Sequence, residues 1–428
     1  MSAPPVPPLR PGARRPPKLD LRAFQSAPSL PARRLYPSSI LDTHIHLWTA
    51  EQLESGGVKW PKESGPAQLS GPHELEDFGK VVEEGLKLVA GGKAGWEGVV
   101  YVQTEAEHDD SDVDGSKGGW DASLDEVESV CAAALAHPDV KLLGIVPWAP
   151  VHHGSRALAL YFDRLFALPS LIALTSSLGY SPIRSVRYLL QSSPRGFFLE
   201  RGFLDGLKEL GRRGIAFDIT LDVRNEGTGG VKILEDAQEM IAKVRDGQKE
   251  GEETVFVFDH FAKPSLLDTA FPAASSSSPF ISAYISALQP LSLLPHTYLK
   301  LSGFLDFAPP DLVKRAFEDF KRKEKGRESN YGVMRERVLA YLEPAVEAWG
   351  TERILVGSDW PMFRPHLLPS TSTSPAAPAA DVSEEAAAWA FEMQLYLDCL
   401  VQLGIGGKEL DALFAGNARR VYRLEKEA

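Results

Sequence analysis

At 428 residues, with 43% of them hydrophobic, the chain is long enough for one large domain or two ordinary ones. Formal charge is -12; residues 1–39 carry seven Arg or Lys against the single acid Asp20, which leaves 39 basic and 57 acidic residues, or -18, in the rest. A body that acidic repels phosphate backbones, so nucleic acid is not an expected partner, and no run of eighteen apolar residues exists to span a membrane. The two cysteines, Cys131 and Cys399, exclude a disulfide scaffold and suit a reducing compartment. With no apolar signal-type segment at the N-terminus, the expectation is a cytoplasmic protein.

Residues 1–39 form a proline- and arginine-rich N-terminal extension. Its ten prolines oppose a regular helix, and Leu21, Phe24 and Leu30 give an extended arm apolar anchors. Residues 40–428 form the expected catalytic domain. Strand-like apolar runs recur at 40–47, 98–104, 141–147, 185–190, 214–220, 255–259, 298–302 and 353–356. Between several of them lie amphipathic stretches, at 124–136, 231–244 and 384–403, the last with Ser383 placed as a cap before two glutamates. Strands apolar on both faces and alternating with helices predict a parallel sheet covered by helices. Eight of them predict an α/β protein, a (β/α)8 TIM barrel with long loops. A doubly wound sheet competes, but the first strand is not followed by a Gly-x-Gly-x-x-Gly turn. Three stretches stand outside the scheme: a polar excursion at 104–123, and surface loops at 265–280 and 364–382.

In such a barrel the chemistry belongs at the carboxyl ends of the strands. The first strand presents His44 and His46, which share a face because side chains alternate along a strand. His260 stands where the sixth apolar run stops, beside Asp259, a carboxylate suited to orienting a histidine. Asp359 follows Ile-Leu-Val-Gly-Ser on the eighth, where an unpaired buried charge is strongly disfavoured. Two or three imidazoles, with or without a cation, would resolve that cost. Arg187, inside the fourth apolar run, needs an anionic or hydrogen-bonding partner, either a substrate or Asp218 on the fifth. Lys263 is either a substrate-binding cation or a solvated loop lysine. Trp48, Gln103, Trp148, Asp218, Lys300 and Trp360 are candidates for the pocket wall, with plain packing as the alternative for each.

Read as an ordered set, the motifs at 42–48 (Asp-Thr-His-Ile-His-Leu-Trp), 144–149, 186–191, 216–220, 258–264, 300–303, 357–361 and 413–418 resemble the amidohydrolase superfamily. Within it they are similar to the amidohydrolase-related branch that holds sugar-acid lactonases, the L-rhamnono-gamma-lactonase-like group in particular. The resemblance implies His44 and His46 as the paired first-strand histidines, His260 as the sixth-strand histidine and Asp359 as the catalytic aspartate. The sequence departs from the fuller pattern in having Arg187 and no bridging lysine on strand four, and Asp218 where many relatives bring a histidine on strand five. The resemblance therefore implies at most one divalent cation, zinc first, on His44, His46 and Asp359, with metal-free operation left open. The expected activity is hydrolysis of a sugar-acid lactone such as L-rhamnono-1,4-lactone. Asp359 would be the acid–base group, with His260 and Arg187 facing the reacting carbonyl. A decarboxylase of an aromatic or unsaturated acid and a non-catalytic binding barrel are the alternatives. A small molecule is the expected partner, and a homodimer is a possible assembly.

Overall fold

The computed structural model describes residues 33–267, 278–368 and 382–425. The chain divides into Met1–Arg34 and Leu35–Ala428, and every element below belongs to the second unit. The leader anchors Leu21, Phe24 and Leu30 lie outside the described residues.

All eight expected strands form: β1 Ser39–Ile45, β2 Gly95–Val102, β3 Leu142–Val146, β4 Ser185–Leu189, β5 Ala216–Thr220, β6 Phe256–Phe258, β7 Thr297–Leu301 and β8 Ile354–Val356. Within each of two sheets, of order β1-β2-β3 and β4-β5-β6-β7-β8, successive strands pair in parallel. Backbone bonds join the two sheets at both seams. Ile145 N–H donates to Pro182 O at 2.9 Å and Arg187 N–H to Pro147 O at 2.8 Å, while Asp359 N–H reaches His44 O and His46 N–H reaches Trp360 O, both at 2.8 Å. With helices between successive strands, this is the (β/α)8 arrangement the apolar periodicity predicted.

The strand faces separate two cores. Leu41, Val100, Val102, Val146, Val257 and Leu355 cluster with Ala415, Ala418, Val421, Tyr422 and Leu424 from the C-terminal segment. Their neighbours Ile40, Val99, Tyr101, Ile145, Phe256 and Ile354 pack outward against the helices. That alternation carries a consequence at β1. Leu41 faces the inner cluster, so a regular strand would turn His44 and His46 outward. Between Asp42 and Ile45 the register takes three residues against two on β2, an irregularity that reverses the facing and aims both histidines inward.

The helix at Asp121–Ala136 buries Leu124, Val127, Val130, Cys131 and Ala134, the three-and-four spacing read from the sequence. Ser383 is not a cap, because helix Val382–Gln402 already includes it. The expected loop at 265–280 is shortened by a helix from Pro279 to Ser292, and a short helix, Arg364–Leu367, begins the region expected as loop at 364–382. Residues 268–277 and 369–381 of those loops lie outside the described residues.

Candidate active site

The strand ends bring His44, His46, His260 and Asp359 together. His44 Nε2 and His46 Nε2 are 3.3 Å apart. Asp359 Oδ1 lies 3.5 Å from the first and 3.2 Å from the second, and Asp359 Oδ2 is 3.8 Å from His260 Nε2. The backbone is shaped to achieve this. His260, Phe261, Ala262 and Lys263 all have φ between 52° and 59°, and Asp359 has φ 58°. Left-handed backbone costs residues with a Cβ roughly 1–2 kcal/mol each, and strain of this kind gathers at functional sites. Beside them, Gly303 (φ +66) passes so close that a Cβ there would stand 2.7 Å from Asp359 Oδ2 and 3.0 Å from His260 Nδ1. Asp42, the other carboxylate of β1, ties the strand to β8: it accepts from Ser358 N–H at 2.8 Å and from the Trp389 indole at 3.0 Å. Burial pushes Asp42 up to about 6 against those bonds.

Electrostatics assign the protonation states. Burial acts to raise the Asp359 carboxyl, but His260, the contact from His46 and the charge of His44 outweigh it and hold the group below the usual carboxylate range. Burial brings His260 down to about 4, against the pull of Asp359 and Asp259, and lowers His44 as well, helped by Lys300. At neutral pH the site therefore pairs an ionised Asp359 with neutral His44 and His260.

A second charged group lies deeper in the barrel. Lys300 Nζ donates to Asp218 Oδ2 at 2.6 Å, stands 3.0 Å from Asp259 Oδ1 and is 3.2 Å from His44 Nδ1. Asp218 also accepts from Ser185 Oγ at 2.6 Å and from the Tyr422 hydroxyl at 2.8 Å. Asp259 accepts from Thr220 Oγ1 at 2.6 Å. Burial acts to lower Lys300, yet Asp218 and Asp259 hold it above its ordinary value, so the ammonium stays charged.

A cavity of about 330 Å³ opens over the strand ends. His46, His260, Asp359, Arg187 and Lys263 line it, joined by Thr104, Glu105, Gln191, Thr220 and Asp306 and by the apolar walls Trp60, Leu189, Phe307 and Met362. Arg187 Nη2 donates to Gln103 O at 2.5 Å, Nη1 is 3.9 Å from Asp259 Oδ2, and Nε is buried without a hydrogen-bond partner among the described residues. Lys263 is half-buried, donates to Gln191 Oε1 and is lowered by desolvation.

Of the expected pocket residues only Lys263 lines the cavity; the other six are corrected to supporting positions. Asp218 and Lys300 sit too deep, with Asp218 two residues below the lining Thr220, a drop of about 7 Å along a strand. Asp218 is also not the partner of Arg187, because it is committed to Lys300. Trp48 is wholly buried, bonded to Gly71 O at 2.7 Å and packed on Trp60 and His73. Trp360 donates to Glu385 Oε1 at 2.8 Å, Trp148 packs on His108 and Tyr161, and Gln103 turns toward Glu105. Sequence reasoning missed Glu105, Gln191, Thr220 and Asp306. The first three lie at or within three residues of the ends of β2, β4 and β5, a position that could have flagged them.

The donor set fits a divalent cation. His46 Nδ1 faces Val102 O at 2.9 Å, and a carbonyl only accepts, so Nδ1 carries a proton and Nε2 is the nitrogen that, deprotonated, would present a lone pair. That nitrogen confronts Asp359 Oδ1, which is buried without a hydrogen-bond partner among the described residues. The triangle of His44 Nε2, His46 Nε2 and Asp359 Oδ1 has edges of 3.3, 3.5 and 3.2 Å. Ligands at about 2.0–2.2 Å from a shared tetrahedral zinc are separated by roughly 3.3–3.6 Å. Ligand atoms of His44, His260 and Asp359 also fall within 4.8 Å of one another. His44 Nδ1 lies between Asp259 Oδ1 at 3.4 Å and Lys300 Nζ at 3.2 Å. Donation to Asp259 frees its Nε2 for a cation, whereas acceptance from Lys300 places a proton on Nε2.

The sequence profile of the amidohydrolase family matches residues 41–424, and the chain belongs to that family. It is 23% identical over 336 residues to the L-rhamnono-gamma-lactonase of Scheffersomyces stipitis, 76% of this chain and 85% of that protein. It is 28% identical over 172 residues to the L-fucono-1,5-lactonase of Burkholderia multivorans, 40% of this chain and 44% of that protein. Among solved structures, an amidohydrolase of Burkholderia multivorans with bound zinc superposes at a TM-score of 0.55 and 18% identity, covering 90% of this chain and 99% of that one. At that identity the likeness speaks for the fold alone.

Proposed function

We propose that this protein hydrolyses the lactone of a sugar acid, such as L-rhamnono-1,4-lactone, to the open-chain acid. The observation that carries the reading is the His44–His46–Asp359 triangle on the floor of a cavity whose free cationic donor is Arg187. The two lactonase relatives support the same class of reaction. The proposed cofactor is one zinc ion held by His44, His46 and Asp359; when bound it would polarise the reacting oxygens and bring the pKa of water from ~15.7 toward ~7.

The chain's own groups do the rest. Asp359, ionised, accepts the proton of the attacking water and returns it to the ring oxygen as the acyl C–O bond breaks. Arg187 donates from Nη1 to the carbonyl oxygen as it gains negative charge, a contribution of roughly 3–4 kcal/mol. His260, neutral and 2.9 Å from Ser302 Oγ, keeps its Nε2 turned toward Asp359 and limits how that carboxylate can rotate.

The test is a panel of aldonolactones followed by acid release, run beside elemental analysis of the purified protein. Ring opening above the spontaneous rate is expected, with about one zinc per chain. Inactivity of metal-replete protein on the whole panel would overturn the reading. Carbon dioxide release from hydroxybenzoates would replace it with a decarboxylase.

A further inference from the structure

The cavity wall holds a carboxylate that the proposed chemistry leaves unused. Glu105 lies three residues past the end of β2 and lines the cavity, with left-handed backbone at φ 65°. A residue with a Cβ keeps such a conformation only where its surroundings enforce it. Gln103, fully buried, enforces it here. Glu105 N–H donates to Gln103 Oε1 at 2.5 Å, and Gln103 Nε2 donates back to Glu105 Oε2 at 3.0 Å. Gln103 is itself fixed by Arg187 through its carbonyl. The clamp leaves Glu105 Oε1 without a protein partner among the described residues.

Asp306 Oδ1 lies 2.7 Å from His366 Nε2, Lys263 donates to Gln191, and Lys59, outside the wall, pairs with Glu107 and not with Glu105. Glu105 is thus a pre-positioned acceptor in a cavity flanked by the apolar faces of Trp60 and Phe307. Hydroxyl groups are the donors that suit it.

We infer that Glu105 sets specificity at this site: it accepts hydroxyls of an uncharged, polyhydroxylated ring. This rests on the lactonase reading and names the substrate feature that reading leaves open. The experiment compares parent, Glu105→Gln and Gln103→Leu on a hydroxylated aldonolactone and on γ-butyrolactone, which has no hydroxyls. Charge-assisted bonds are about twice as strong as neutral ones, so E105Q should raise KM for the aldonolactone about tenfold or more while kcat holds within about threefold. Turnover of γ-butyrolactone should stay near the parent value. Q103L, which keeps the charge and loosens the clamp, should raise the same KM by less. Equal losses on both lactones, or no change on either, would overturn the inference. Calorimetry with an unreactive 1,4-anhydroalditol separates it from the lactonase reading. Binding to the parent that weakens about tenfold in E105Q sustains the role of Glu105 even if no lactone is hydrolysed. An anhydroalditol that binds both proteins equally, or neither, refutes it.

Discussion

Lys300 and Arg187 are both buried cations on barrel strands, and both stand beside Asp259, yet their surroundings differ in kind. Lys300 lies 2.6 Å from Asp218 Oδ2 and 3.0 Å from Asp259 Oδ1, two carboxylates that offset its charge at short range. Arg187 has one strong acceptor, Gln103 O, a distant one in Asp259, and a buried Nε with none among the described residues. The same contrast separates Asp218, saturated by Lys300, Ser185 and Tyr422, from Asp359, whose Oδ1 is left unpartnered. A buried charge held by close counter-charges supports the structure without a ligand. One left unpaired at a cavity wall costs stability in the free protein, and that cost is recovered when a substrate or cation arrives. The deeper network is therefore the support, and the layer above it is the reactive surface.

Substitutions should separate the two layers. The largest stability effect is expected from Lys300→Met, which strands Asp218 and Asp259 as uncompensated buried charges; removing one partner of such a group typically costs ~3–5 kcal/mol. Denaturant titration should show that loss, and a variant as stable as the parent would mean the network is not ionised as described. Arg187→Gln should do the opposite. Its folding stability should stay within about 1 kcal/mol of the parent, while kcat on an aldonolactone falls about 10²–10³-fold, the usual cost of one oxyanion donor. Should R187Q unfold and K300M merely slow turnover, the division of labour is reversed. A smaller effect is expected from Gly303→Ala. The new methyl would enter the space of Asp359 and His260 from a left-handed backbone position, costing roughly 1 kcal/mol in conformation. Turnover should drop by about tenfold or more through displaced side chains, with wild-type thermal stability and turnover together counting against this packing.

Much of this was legible in the amino-acid order. Parallel strands buried on both faces leave unbroken apolar runs, so all eight strands could be placed, and the polar residues at their ends pointed to His44, His46, His260 and Asp359. What a run of letters does not carry is depth. Lys300 and Asp218 sit on the inward face like the lining residues, but a turn of the pleat lower, and only the packed barrel shows that they support the cavity floor. Trp48 and Trp360 misled for a related reason: their size suits a pocket wall, but their indoles found carbonyl and carboxylate partners in the outer layer. Even the first-strand histidines face inward only through a register irregularity between Asp42 and Ile45, which simple alternation from Leu41 would not give. Glu105 and Asp306 come from loops, where no periodicity marks them.

The central claim is that Asp359 moves the proton in a reaction performed at this cluster, and Asp359→Asn tests it most directly. The amide keeps the size of the side chain and removes its charge and its basic oxygen. Folding, followed by thermal denaturation, should be retained with at most a modest loss, because the surroundings that hold the Asp359 carboxyl below its usual range favour the ionised form. Turnover of the best aldonolactone should fall at least ~10²–10⁴-fold, the span of a general acid–base group. A D359N protein that folds normally and turns over within about threefold of the parent would contradict the account, since so small a change leaves no proton-transfer role for Asp359.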